Sequence, residues 1–329
     1  MRLRKRAARL AEQEHRLIDY MYTTRKLGIA LLSFLLIYTA STLIRTPLYA
    51  LLLLRLGTTV GLVAGQLVDM LFYALSFMLP VAVFRWITPR DCRVPMPLSC
   101  RVSSLTGLLI PAGVAVVFCA AWVNSALLEL FGLTVSSYPT PDPSILPTQT
   151  VLSFMAMAVV PAFCEEFLFR GLVLTQLLPF GKTTAVIGSA LLFGLMHGNP
   201  AQMLYATVAG LVLGVVAVES GSVWAGVLIH LFNNMLSVLN ETFWNRLQYP
   251  SGFYLQTIIE MSVVALGLIC LVILLSRRDR TKQELGRTPL PVGAPLSGGT
   301  VRGFFTLPMT AFCLISGVEM ILIVVSALM

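Results

Sequence analysis

Apolar runs about as long as a bilayer is thick recur along nearly the whole chain, and few folds tolerate that spacing. A helix needs roughly 20 mainly apolar residues to cross the hydrocarbon, because each backbone amide must be satisfied within the segment. Such stretches lie at about 27–44, 58–84, 104–132, 150–178, 183–199, 202–219, 222–240, 253–276 and 304–328. The expected fold is all-α, a polytopic transmembrane helix bundle of about 8–9 spans. Composition agrees, since only 12% of the 329 residues are charged and a soluble domain carries about twice that fraction. The stretch TPLYALLLLR at 46–55 is too short to span alone and reads as the connection between the first two spans.

The net charge of +8 would suit a nucleic-acid partner if it formed one patch. Here Arg and Lys flank the apolar runs, so no nucleic acid is expected and the charges orient the chain in the lipid bilayer. The N-terminus, the loop holding Arg85, Arg90, Arg93 and Arg101, the turn with Lys182 and the loop opening RRDR at 277 fall on one side. The loop YPTPDPSILPTQ, with no Lys or Arg, falls on the other. This predicts a multi-pass protein of the cell membrane with a cytosolic N-terminus. The six cysteines show no zinc-finger spacing and no CxxC. Cys92 and Cys100 share the basic loop and are expected to be thiols.

The chain divides accordingly. Residues 1–26 read as a basic helix, cytosolic or lying at the membrane surface, with Leu3, Leu10, Leu17 and Tyr20 near one face. Residues 27–276 form the transmembrane bundle, 277–303 a mobile cytosolic linker rich in Pro and Gly, and 304–329 an extra span trailing as an appendage. No convincing internal repeat points to an inverted-repeat transporter.

Ionisable groups are costly inside hydrocarbon and usually mark function. The run PAFCEEFLFRG places Glu165 and Glu166 side by side, about 100° apart on a helix, with Arg170 one turn beyond Glu166. That order favours a Glu166–Arg170 pair and leaves Glu165 available. Only three histidines occur, and two of them, His197 and His230, sit in apolar spans. His197 follows Phe193 by one turn in LLFGLMHGN, and Asn234 follows His230 by one turn in LIHLFNNML, with Asn233 pointing elsewhere. Each motif alone is more often a packing or helix-to-helix contact.

Taken together, EExxxR, FxxxH and HxxxN occur in that order on separate apolar helices. The pattern resembles the CPBP family, the CAAX protease and bacteriocin-processing group that includes the type II CAAX prenyl endopeptidases. The resemblance covers roughly residues 150–240 and lacks no motif residue. It implies an intramembrane endopeptidase acting on a membrane-embedded peptide or a lipidated protein. Glu165 would activate water with the aid of His197, and His230 and Asn234 would hold the oxyanion. Glu166 and Arg170 would shape the site or steady the substrate, with Phe193 as support. Glu165, His197 and His230 also make a Glu/His/His set suited to catalytic zinc, so metal-dependent and metal-free hydrolysis both stand.

Simple alternation of spans puts His197 nearer the outer end of its helix than Glu165 is on its own. An extended 150–178 helix, or a bend around Gly198 and Pro200, is expected to level them. The alternatives from other classes are a non-proteolytic membrane scaffold or immunity protein, and a proton-coupled transporter. Asp69, Glu129, Glu260 and Glu319, in or near spans, lend the transporter some weight.

Overall fold

A computed structural model describes residues 2–100, 103–130, 147–247, 251–277, 290, 292–296 and 299–328. Among them there is no strand. The first helix, α1 (Arg2–Ile87), is a hairpin that reverses at Gly57, whose φ of 75° only glycine adopts without strain. Its arms pack through Phe34 and Phe77, with ring centroids 4.9 Å apart, and are tied by an Arg45–Asp69 ion pair at 3.3 Å. The stretch 46–55, expected as a connector, is helical and extends the first arm, because the only non-helical backbone in α1 is at Gly57. The basic N-terminal segment continues into the first arm without a break, and its Tyr20 is fully buried.

The remaining helices are α2 (Ser104–Leu130), α3 (Val151–Phe180, with a helical lead-in from Pro147), α4 (Lys182–Met196), α5 (Pro200–Ser220), α6 (Val223–Leu247), α7 (Ser251–Ser276) and α8 (Leu307–Leu328). With the hairpin counted as two, every expected apolar segment falls on a helix. One of them, Lys182–Met196, is short for a full crossing.

Two apolar cores organise the bundle. One joins α1, α3, α4 and α8 through residues such as Leu31, Phe77, Leu168, Leu177 and Phe312. The other joins α2, α5, α6 and α7 through Val117, Leu213, Ile229 and Val264. Small residues let α4 and α5 approach closely, since a Cβ on Gly210 would stand 3.0 Å from Ala190 Cα.

The final helix is not a trailing appendage. Its Met309 and Phe312 are fully buried in the first core, against α1. The described part of 277–303 is docked where mobility was expected. Leu290 and Leu296 pack on the core, and Gly293 N–H donates to Leu178 O at 3.0 Å. Arg16 donates to Pro179 O at 3.2 Å, and Thr24 hydroxyl donates to Gly303 O at 2.8 Å. The physical reason is that the last carbonyls of α3 lack helical partners and need donors from elsewhere.

Candidate active site

Helix α3 carries the paired carboxylates on irregular backbone. The α-helical turns Val160–Glu166 lie between π-helical stretches at Met155–Val159 and Phe167–Leu174. Such widened turns are frequent where side chains must be re-aimed at a site. Here the two glutamates diverge, Glu165 onto a cavity wall and Glu166 behind it.

Glu166 and Arg170 are both fully buried, and Arg170 donates to Glu166 Oε1 at 2.7 Å, the pairing that the i, i+4 order predicts. Arg170 also donates to Gly210 O at 3.3 Å, and its guanidinium carbon sits 4.4 Å from the centre of the Phe193 ring. The same Glu166 oxygen lies 3.1 Å from His230 Nδ1, so this nitrogen donates and Nε2 faces forward. Glu166 thereby ties α3 to α6. Only the absence of a side chain at Gly226 leaves room for it, since a Cβ there would fall 2.7 Å from Glu166 Oε2.

Glu165 is almost fully buried, and its two oxygens differ. Tyr73 of α1 donates its hydroxyl to Oε1. Oε2 has no hydrogen-bond partner among the described residues and lies 3.9 Å from His230 Nε2. His197 Nδ1 stands 2.8 Å from Phe193 O. A proton donated there leaves Nε2 with its lone pair free to act as a base. Phe193 holds both imidazoles edge-on, with centroids 4.9 Å from His197 and 6.0 Å from His230.

The levels of Glu165 and His197 agree without lengthening α3. Glu165 stands fifteen residues before Phe180, and His197 fifteen residues after Lys182. Both therefore stand the same number of residues from the turn between the helices. The reason is that α4 stops at Met196, after which the chain turns through Gly198 and Asn199 caps α5.

These groups open onto one cavity of about 990 Å³, lined among others by Tyr73, Glu165, His197, His230, Asn234 and Glu319. Phe193 also reaches this wall, whereas Glu166 and Arg170 do not. Asn233, expected to point elsewhere, lies on the wall too. It accepts from Tyr205 hydroxyl at 2.7 Å and donates to Asn234 Oδ1 at 3.1 Å, and Asn234 lines the cavity as well. Adjacent positions share the wall because the cavity is wider than one helical face.

Among the described residues, no three His, Cys, Asp or Glu side chains converge as a metal-ligand set. Glu165 and His230 approach each other, but His197 does not close a triangle with them.

Sequence reasoning did not single out Tyr73, Tyr205 or Asn233 as site residues, and it noted Glu319 only as a charge within a span. Tyr73 should matter for catalysis, because its hydroxyl decides which Glu165 oxygen stays free. Tyr73→Phe is expected to lower turnover roughly tenfold to a hundredfold, the worth of a hydrogen bond to a charged group. Unchanged kcat in a folded variant would refute that role.

The described residues form a polytopic helical bundle with a cavity between its two main cores, lined by Glu165, His197, His230 and Asn234. Residues 147–236 match the family model described as type II CAAX prenyl endopeptidase Rce1-like. This segment contains EExxxR, FxxxH and HxxxN, and it is similar to the CAAX protease family that the motifs resemble. The match supports a CAAX-type protease of the membrane in general. No curated protein and no solved structure matched the chain.

Proposed function

We propose that the protein is an intramembrane endopeptidase that hydrolyses a peptide bond of a membrane-embedded peptide or a lipidated protein. The observation that carries this reading is the buried Oε2 of Glu165, without a hydrogen-bond partner among the described residues, on a residue that lines one cavity with two imidazoles. Oε2 takes a proton from water as the water oxygen attacks the carbonyl carbon. His197 Nε2 accepts a hydrogen bond from the same water and orients it. The tetrahedral oxyanion is met by the Asn234 amide and by Nε2–H of His230 in its imidazolium form. As the intermediate collapses, the carbon–nitrogen bond breaks and Glu165 returns the proton to the leaving amine. Glu166 touches no reacting atom in this scheme. It positions His230, and Arg170 positions Glu166.

No step passes through a metal, because the donor set does not close. Purified protein in nanodiscs should cleave a farnesylated CAAX peptide or an apolar membrane peptide, with the products identified by mass spectrometry. Exhaustive chelation should leave the rate unaltered. Loss of activity reversed by zinc would restore the Glu165, His197 and His230 ligand set, and no cleavage of either peptide class would favour a scaffold. A proton relay receives less support, since Asp69, Glu129 and Glu260 do not line the cavity.

The flanking Arg and Lys support a cell-membrane protein with the N-terminus and the 85–101 loop in the cytosol. Cys92 and Cys100 are exposed free thiols in that loop. A membrane-impermeant maleimide should label them in inverted vesicles and not in intact cells, and the opposite pattern would reverse the orientation.

A further inference from the structure

Helix α8 carries one charged residue, Glu319, in an otherwise apolar and uncharged sequence. The helix packs by Met309, Phe312, Ser316 and Met320, all buried. Glu319 lies beside that face and shares its own with Leu322 and Ile323, and these three line the catalytic cavity. Its carboxylate lies close to the residue after His197, since Oε2 is 3.7 Å from where a Cβ on Gly198 would stand. It has no hydrogen bond or ion pair with the described residues. Among the described residues no Lys or Arg lines the cavity, so its carboxylates, Glu165 and Glu319, have only imidazoles as cationic neighbours there. A carboxylate within a span is expensive and is kept where it faces a cavity and meets a partner. Here the described residues supply a place for a cation and no cation to fill it. Glu319 also lies outside residues 147–236, so the family motifs do not account for it.

We propose that Glu319 forms an acidic subsite that recognises a Lys or Arg side chain of the peptide substrate, next to the bond that is cut. This rests on the endopeptidase reading above. The subsite adds a charge preference that the motif residues do not carry, and it makes α8 part of the substrate-selecting wall.

The test uses full-length protein in nanodiscs and a series of apolar 20-residue peptides. Each peptide bears a single Lys, Gln or Glu, moved one position at a time. Wild-type protein should cleave the best Lys peptide at least about tenfold more efficiently, in kcat/KM, than its Gln counterpart, with the Glu peptide poorest. Glu319→Gln should bring the Lys-to-Gln ratio close to one, and Glu319→Lys should favour the Glu peptide. A wild-type ratio near one overturns the proposal without any variant. An equal fall on all peptides, with the ratio preserved, also overturns it, since Glu319 would then act only through His197. Binding of the same labelled peptides to the Glu165→Gln protein separates this inference from the proposed activity. Lys-selective binding without cleavage by wild type would sink the protease reading and keep the subsite, whereas cleavage without Lys selectivity would do the reverse.

Discussion

Glu165→Gln should yield a folded membrane protein whose cleavage rate is lower by roughly a hundredfold to ten-thousandfold, the usual worth of a positioned general base. The substitution keeps the shape of the side chain. The amide oxygen can still accept the hydrogen bond from Tyr73, so the local structure has no reason to change. What disappears is the oxygen that can take a proton from water. Substrate binding should be nearly unaltered, because the effect belongs to the transition state and appears in kcat. Single-turnover kinetics on protein with a wild-type thermal profile would measure it. A well-folded Glu165→Gln variant with wild-type turnover would remove Glu165 from the chemistry.

The largest effect on stability should come from Arg170→Met. Arg170 and Glu166 are both fully buried, so the substitution leaves a carboxylate without its cation inside the bundle. Breaking a buried pair on one side costs about 3–5 kcal/mol, which should appear as a marked fall in melting temperature in detergent. The double variant Glu166→Gln with Arg170→Met removes both charges and should recover much of that stability. It should not recover activity, because His230 Nδ1 loses its carboxylate partner. Recovery of cleavage in the double variant would show that Glu166 serves only to neutralise Arg170.

Much of this was legible from short-range spacing. The Glu166–Arg170 pair follows from an i, i+4 relation along one helix, and the helical segments follow from apolar length alone. The placement of EExxxR, FxxxH and HxxxN on separate helices follows in the same way. What escaped depends on contacts between residues far apart in the chain. Nothing in DMLFYAL marks Tyr73 as the partner of Glu165, since an intraspan tyrosine usually packs. The hairpin reversal was misplaced because 46–55 is too short to span alone and reads as the connection, while Gly57 alone carries the positive φ. The levels of Glu165 and His197 looked mismatched because span length was assumed uniform, and α4 is short. The Pro- and Gly-rich linker looked mobile because its partners, the end of α3 and the N-terminal helix, are not adjacent in sequence.

The docking of α8 against α1 bears on how the enzyme comes into being. Every residue of the Glu/His/Asn set is translated before Leu307, and so is the first arm of α1 on which α8 rests. Until α8 leaves the ribosome and finds that distant arm, the reactive groups lie in a groove with one wall missing. Contacts this far apart in sequence form late, after the local hairpins. A nascent chain therefore carries these polar groups for some time before their cavity is walled, and the cavity closes only once α8 has been made and has docked.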